Sequence, residues 1–212
     1  MPLKYIKWHS DFTRLGIWKM EEPDEWYENQ LLLSASETDE LNSLSAKKRR
    51  EWLASRWLLQ YLIGTNHRVY TQRDEFGKPH LCDSGLFISL SHSSDLVAVI
   101  VSSVACGIDI QHFTPKIEII ADKFMSVADK NAMNEHNKRT LLTVFWGAKE
   151  SLYKAYGKKE LDFREDIRIQ TFDFDPLEGC FGGQVTKGQF VADYRVYYLN
   201  TESYALSYCM KN

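Results

Sequence analysis

Two stretches of the chain carry apolar residues at helical spacing, and each of them closes on a glycine. The first runs from Asp39 to Gly64 and the second from Asp129 to Gly157. Both begin with acidic residues, continue through basic ones and then become amphipathic. In the second stretch the apolar positions lie four, three, four and three residues apart, which predicts a helix with one apolar face: Leu141, Phe145, Ala148, Leu152 and Ala155.

A pair of strand-like segments follows each predicted helix. The segments Leu86–Ser103 and Tyr194–Met210 are rich in β-branched and aromatic side chains, and polar clusters interrupt them at 92–95 and 200–203. This composition, together with the polar breaks, predicts two antiparallel hairpins. A helix followed by a hairpin therefore occurs twice along the chain.

The repeated plan predicts an α+β protein built as a pseudo-two-fold pair of similar lobes, each a long helix packed on an antiparallel meander. The expected boundary separates residues 1–104, the N-terminal lobe, from residues 105–212, the C-terminal lobe. If the likeness reflects a duplication, the natural ligand site is the cleft between the lobes. The alternative is a chance likeness between two ordinary α+β segments.

Composition and charge narrow the class of protein. The chain has 212 residues, of which 44% are hydrophobic, so it has ample material for a packed core. The net charge of -3 and the isoelectric point near 6.1 argue against a general nucleic-acid or membrane binder. The N-terminus lacks the apolar run of a signal peptide, and no stretch reaches the roughly eighteen apolar residues of a membrane span.

The cysteines and histidines carry no metal-binding pattern. The four cysteines are scattered at positions 82, 106, 180 and 209 without a CxxC pair, and the six histidines lack ligand spacing. Scattered cysteines suit reduced thiols. The sequence therefore predicts a soluble cytoplasmic protein without a zinc site, in which an anionic ligand needs a local basic patch.

A short strand with an acidic residue inside it is the first candidate for chemistry. After Gly107, period-2 alternation should bury Ile108 and Ile110 and turn Asp109 and Gln111 to the opposite face. A carboxylate held rigidly between two buried isoleucines suits a bound donor or a hard cation. Mg²⁺ prefers carboxylate oxygens and keeps several waters, so one or two acids plus substrate phosphates make an ordinary site.

The second predicted helix offers another carboxylate. Trp146, Glu150 and Lys154 lie four residues apart and form a stripe beside the apolar face. One interpretation is an exposed pair between Glu150 and Lys154, worth about 0.2–0.5 kcal/mol. The other is that Glu150 joins Asp109 in a Mg²⁺ site, provided that the strand packs against the helix.

Five segments together resemble a known family. GIDI at 107–110 and WGAKESLYK at 146–154 resemble the paired signature of 4′-phosphopantetheinyl transferases of the two-lobed Sfp type. Three upstream segments also fit: KRREWLASR at 48–56, DEFGKP at 74–79 and SLSHSSD at 89–95. All five occur in the family's order and at suitable spacings, whereas the first forty and the last fifty residues carry no matching motif.

The resemblance implies a reaction and three catalytic residues. Enzymes of this family transfer the 4′-phosphopantetheine arm of coenzyme A to a serine of an apo acyl or peptidyl carrier protein and release 3′,5′-ADP. By resemblance, Asp109 and Glu150 coordinate Mg²⁺, and Glu150 is the base for the carrier serine, directly or through a water on the metal. Lys154 is expected to reach the pyrophosphate and to stabilise the leaving phosphate.

The resemblance also implies which residues bind coenzyme A. Ser91 and His92 match a serine–histidine pair that contacts a phosphate. Lys78 matches a lysine near the nucleotide, and Arg56 matches an arginine that faces the 3′-phosphate. Lys48, in the basic run at the start of the first helix, either contacts the 3′-phosphate or belongs to a solvated helix start.

Two positions stay open within the resemblance. Lys149 either contacts phosphate, beside Lys154, or takes part in docking. Many family members carry an acid two residues after the motif aspartate, where this chain has Gln111. An amide oxygen can ligate Mg²⁺ but brings no charge, so Gln111 is either a third ligand or a position that water fills.

Two other classes of function compete with the enzyme. The first is a catalytically weak homologue that only binds coenzyme A or a carrier, although retention of Asp109, Glu150 and Lys154 favours catalysis. The second is a nucleic-acid module that uses the KKRR run, which the acidic isoelectric point opposes. The segment Phe113–Lys138 is expected to meet the carrier without specifying which one, and a chain that holds both lobes favours a monomer.

Overall fold

A computed structural model describes residues 2–10, 12–82, 84–133 and 135–212. The strands are β1 (Leu3–Ser10), β2 (Thr13–Lys19), β3 (Thr71–Arg73), β4 (Pro79–Leu81), β5 (Phe87–Ser93), β6 (Leu96–Ser102), β7 (Cys106–His112), β8 (Ile167–Ile169), β9 (Glu178–Lys187), β10 (Phe190–Asn200) and β11 (Tyr204–Lys211). The helices are α1 (Asp24–Leu31), α2 (Ala35–Asn42), α3 (Ala46–Ile63), α4 (Lys116–Ile120), α5 (Val127–Asn131) and α6 (Lys138–Tyr156), with 3₁₀ turns at Ala121–Lys123 and Glu135–Asn137. Antiparallel sheets and separate helices make the protein α+β, as predicted.

The first sheet has the strand order β1-β2-β6-β5, and α3 packs on its central strands β2 and β6. Leucines of α3, among them Leu58 and Leu62, form a core with valines of β6 such as Val97 and Val99. The helix ends where the sequence predicted, because Gly64 adopts the left-handed conformation, with φ of 74°. The predicted hairpin is also confirmed, since β5 and β6 are paired antiparallel neighbours.

The second sheet has the strand order β7-β11-β10-β9-β8, and α6 lies across it. The predicted hairpin of β10 and β11 is confirmed, and α6 ends at Gly157 with φ of 77°. Gly107 of β7 allows a very close approach to α6, because a Cβ at that position would lie 1.8 Å from the carbonyl oxygen of Ser151. This close contact sets the residues after Gly107 directly beneath α6.

The two sheets meet along the edge strands β5 and β7 and share a core. Side chains of β2 and β6, such as Leu15 and Ile100, pack with Ile108 and Ile110 of β7 and with Leu206 of β11. Along the edges, alternate serines of β5 accept hydrogen bonds from alternate backbone N–H groups of β7 at 3.1–3.2 Å: Ser89 from Ile108, Ser91 from Ile110 and Ser93 from His112. We call this set of three bonds the serine ladder. It fixes β5 of the first sheet against β7 of the second.

None of the helices in the described part of the chain is long and apolar enough to cross a membrane.

Candidate active site

The two candidate carboxylates meet where α6 crosses β7. Asp109 points to the helix side of β7 and is only 7% exposed, because α6 covers that face of the strand. The pKa of Glu150 is raised to about 7, first by burial and then by the negative charge of Asp109, while Lys154 opposes both effects. The expectation that this strand packs against the helix is confirmed, and the two acids lie close enough to repel each other.

Lys154 lies one turn after Glu150 on α6 and contacts Asp109. Its Nζ donates to Oδ1 of Asp109 at 2.7 Å, to Oγ of Ser91 at 3.0 Å and to the carbonyl oxygen of Ile108 at 3.0 Å. These partners come from β7 and β5, so the amine links α6 to both edge strands. A cation and a carboxylate of α6 therefore meet the carboxylate of β7 at the junction of the sheets.

Arg56 forms the base of a cavity of about 450 Å³ that opens between α3 and the β5 edge. Its guanidinium lies 5.0 Å from the ring of Trp52, and its Nε has no hydrogen-bond partner within the described residues. The pKa of Arg56 is lowered to about 10, first by burial and then by the positive charges of Arg73 and Arg68. A buried guanidinium with an unpaired donor beside other cations is a site prepared for an anion.

Three more basic side chains line the same cavity, Lys48, Arg73 and His92, together with the acids Glu40 and Glu51. His92 is more than half exposed, and its Nδ1 lies 3.3 Å from Oε1 of Glu51. Sequence reasoning missed Arg73, which the antiparallel pairing of β3 with β4 brings to the cavity. The available signal was its position just before the DEFGKP segment. The hairpin that presents Lys78 also presents Arg73, which pairs with Pro79.

Lys78 and Lys154 line a second cavity of about 250 Å³, which shares Pro79 and Leu90 with the first. Asp74 holds the loop that carries Lys78, because its Oδ1 accepts hydrogen bonds from the backbone N–H groups of Phe76 and Lys78. The Nζ of Lys78 donates to the carbonyl oxygen of Ala155 at 3.0 Å, and burial lowers its pKa. Lys158 and Lys159 line this cavity as well, so it is strongly cationic.

Lys149 lies elsewhere, and both expectations for it were wrong. Its side chain is fully buried, and its Nζ donates to Oδ2 of Asp129 at 2.6 Å and to the carbonyl oxygens of Phe124 and Phe163 at 2.8 and 2.7 Å. These three acceptors use all three protons of the ammonium group. Five residues along a helix turn the side chain by about 140° from Lys154, which leaves Lys149 on the core side of α6.

Gln111 follows Asp109 on the same face of β7 and is half-buried. Its Nε2 lies 3.4 Å from the carbonyl oxygen of His112. Among the residues that the structure describes, no cluster of three His, Cys, Asp or Glu side chains could hold a metal ion. The pair of Asp109 and Glu150 nevertheless fits Mg²⁺, because a buried and a half-buried carboxylate that repel each other gain from a hard cation that takes its other ligands from water and phosphate.

Comparisons with known proteins match the half of the chain that carries these acids. A family model described as the 4′-phosphopantetheinyl transferase superfamily matches residues 105–209, which include Asp109, Glu150 and Lys154. A curated relative, the 4′-phosphopantetheinyl transferase gsp of Aneurinibacillus migulanus, is 30% identical over 112 residues. That alignment covers 51% of this chain and 46% of the relative, so the chain spans about half the length of the curated relative it matches.

Proposed function

Because the chain belongs to the 4′-phosphopantetheinyl transferase superfamily, we propose that it transfers the 4′-phosphopantetheine arm of coenzyme A to a serine of an apo-carrier protein and releases 3′,5′-ADP. One observation carries the proposal: Asp109, Glu150 and Lys154 meet beside two cationic cavities, one lined by Lys154 and the other by Ser91, which bonds Asp109 and Lys154. A polyanion with phosphates at two separated positions matches that distribution of charge. A carboxylate close to both cavities suits a proton acceptor at the reacting phosphate.

Coenzyme A would lie across both cavities. Arg56 is the proposed partner of the 3′-phosphate, because its Nε is buried without a partner in the described chain and other cations surround it. Arg73, Lys48 and His92 line the same cavity and would share that charge. In the second cavity, Lys78 and Lys154 would contact the pyrophosphate.

Asp109 and Glu150 would hold Mg²⁺, and Gln111 is retained as an additional oxygen ligand or as the place of a water. When bound, Mg²⁺ would neutralise the pyrophosphate charge as the phosphoryl group is transferred. Lys154 now neutralises Oδ1 of Asp109 at 2.7 Å. The same amine is one turn from Glu150 on α6 and is the proposed cation for the leaving phosphate.

Glu150 is the proposed base. The serine oxygen of the carrier attacks the phosphorus that bears the pantetheine arm, the bond from that phosphorus to the bridging oxygen breaks, and Glu150 takes the serine proton. Beside a bound Mg²⁺ the carboxylate of Glu150 would be ionised and could therefore accept the proton. Lys154 stabilises the charge that develops on the departing 3′,5′-ADP.

The finer architecture belongs to the same proposal. We infer a pseudo-two-fold pair of lobes, residues 1–104 and 105–212, on the strength of matching topology. In the first lobe the strand β2 precedes α3, and the sheet order is β2-β6-β5; in the second the strand β7 precedes α6, and the order is β7-β11-β10. A cytoplasmic monomer, with the segment Phe113–Lys138 facing the carrier and no nucleic-acid partner, completes the proposal.

A direct assay tests the function. The protein is incubated with coenzyme A, Mg²⁺ and each of several apo-acyl and apo-peptidyl carriers, and the intact mass of each carrier is measured. At least one carrier should gain the mass of one phosphopantetheine arm, and the Glu150→Gln variant should leave the same carrier unmodified. Wild-type protein that binds coenzyme A but modifies none of the carriers would instead identify a homologue that only binds.

A further inference from the structure

Ser91 differs from the other two serines of the serine ladder. Ser89, Ser91 and Ser93 each accept a hydrogen bond from a backbone N–H of β7. Only the hydroxyl of Ser91 also reaches the charged groups of the candidate site, Asp109 and Lys154. Ser91 therefore belongs both to the junction of the sheets and to the immediate surroundings of a proposed metal ligand.

The hydrogen bonds that Ser91 accepts leave its hydroxyl proton only one acceptor. Its Oγ lies 3.2 Å from the backbone N of Ile110 and 3.0 Å from Nζ of Lys154, and both of these groups only donate. They occupy the two lone pairs of the hydroxyl. The remaining proton is donated to Oδ1 of Asp109 at 2.9 Å. All of the hydrogen-bonding capacity of the side chain is thus used within the protein.

The same bonds make the two oxygens of Asp109 unequal. Oδ1 accepts from Ser91 and from Lys154, at 2.9 and 2.7 Å. Oδ2 is turned toward α6, 3.8 Å from the point where a Cβ on Gly147 would lie, and it accepts no hydrogen bond within the described part of the chain. Fixing Oδ1 from the β5 side therefore presents Oδ2 to the helix that carries Glu150.

We propose that Ser91 is a positioning residue, which holds Asp109 for cation binding and transmits the placement of β5 to the metal site. This role replaces the expected contact with a phosphate of coenzyme A, for which the hydroxyl has no free donor. The inference rests on the proposed function, because it takes Asp109 as a ligand of Mg²⁺. Outer-shell partners of metal ligands commonly change metal affinity by about 10- to 100-fold when they are removed.

Ser89 provides a matched control. Its side chain is as buried as that of Ser91, at 4% and 6% exposure, and its hydroxyl accepts from Ile108 in the same ladder without touching Asp109. Ser89→Ala and Ser91→Ala each leave one buried N–H of β7 without its acceptor. Both variants should therefore lower the melting temperature, by about 2–4 °C for the loss of one such bond in a protein of this size, and Ser91→Ala additionally loses the bonds to Asp109 and Lys154.

The test measures binding of Mn²⁺ alone to the full chain, by the loss of the electron paramagnetic resonance signal of free Mn²⁺, with no coenzyme A or carrier present. Ser91→Ala should raise the Kd for Mn²⁺ about tenfold. Ser89→Ala should stay within twofold of wild type although it also loses a bond of the serine ladder. Ser91→Thr, which keeps the hydroxyl, should restore most of the affinity.

Three results would overturn the inference: Mn²⁺ affinity unchanged in Ser91→Ala, equal weakening in Ser89→Ala, or no Mn²⁺ bound by the wild type. The outcome is separate from the test of transfer. Wild-type modification of a carrier with normal Mn²⁺ binding by Ser91→Ala would reject the role of Ser91 and leave the proposed function standing. If the three variants bind Mn²⁺ as expected but no carrier is modified, the role of Ser91 would stand and the proposed function would be rejected.

Discussion

The two sides of α6 each carry a lysine, and the two amines serve different purposes. We call the side that carries the buried Lys149 the core side, and the side that carries Glu150 and Lys154 the cleft side. Lys149 and Lys154 each donate to three oxygens, one of them on an aspartate. The side chain of Lys149 is 0% exposed, and two of its acceptors are carbonyls of neighbouring loops. The side chain of Lys154 is 26% exposed and lines a cavity.

Access to solvent, and not the number of contacts, separates the two lysines. A ligand phosphate can reach Lys154 through the cavity and compete with Asp109 for its protons. No ligand can reach Lys149 without unpacking α6 from the segment around Phe124 and Asp129. A lysine inside a functional motif can therefore serve the fold, and the comparison predicts which substitutions should affect chemistry and which should affect stability.

The cleft side should show the largest effect. Glu150→Gln and Asp109→Asn should each lower the turnover number by about 10³-fold or more, because they remove the base and a metal ligand together with their charge. Both variants should keep the circular dichroism spectrum and cooperative unfolding of the wild type. Turnover within tenfold of wild type at saturating Mg²⁺ would remove these residues from the chemistry.

Matched substitutions of the two lysines should differ in their effects on stability and on turnover. Lys149→Met leaves Asp129 buried without its partner and should lower the free energy of unfolding by about 3–5 kcal/mol. Lys154→Met removes a lysine that is 26% exposed and should cost less stability than Lys149→Met, while it lowers turnover by about 10²-fold. Urea unfolding and steady-state kinetics of both variants would measure this. Equal stability losses would contradict the comparison.

The pKa of Glu150 predicts how the cleft side responds to pH without a metal. It is raised from 4.5 to about 7 in the folded protein, so between these values the folded state binds more protons than the unfolded state. The free energy of unfolding should therefore fall as pH rises through this window, by up to about 3 kcal/mol. Glu150→Gln cannot ionise, so in EDTA its stability relative to wild type should increase between pH 5 and pH 8.

A constant difference between the two proteins across that range would mean that Glu150 titrates normally. Adding Mg²⁺ at pH 8 supplies a second comparison. The cation should stabilise the wild type against urea, because it offsets the repulsion between Asp109 and Glu150, and it should stabilise Glu150→Gln less.

Arg56 tests the proposed binding of the 3′-phosphate in the cavity between α3 and β5. Arg56→Ala should weaken binding of coenzyme A by about 1.5–3 kcal/mol and should weaken dephospho-coenzyme A much less, because only the former carries a 3′-phosphate. Isothermal titration calorimetry of both ligands on both proteins measures the difference. Equal losses would show that Arg56 contacts some other part of the ligand.

Local patterns along the chain were sufficient for much of the fold. Gly64 and Gly157 ended the two long helices, both in the left-handed conformation, and the polar clusters at 92–95 and 200–203 marked the hairpin turns. The four-residue spacing on α6 also placed Glu150 and Lys154 on one stripe of the helix. These features depend on spacing within one segment, which a sequence displays directly.

Contacts between distant segments were harder to predict. The serine ladder depends on two strand edges that become neighbours only after both sheets form, and Arg73 reaches the anion cavity only through a hairpin. The error over Lys149 was avoidable. It lies four residues after Phe145 and three before Leu152, so helical spacing already placed it on the apolar face.

A crystal structure of the protein with coenzyme A and Mg²⁺ tests the central claim most directly. The account predicts Mg²⁺ bound by Asp109 and Glu150, with Nζ of Lys154 moved from Oδ1 of Asp109 to the pyrophosphate. Lys149 should keep its three acceptors, and the 3′-phosphate should contact Arg56. A metal ion bound away from both carboxylates, or coenzyme A bound outside the two cavities, would contradict the account.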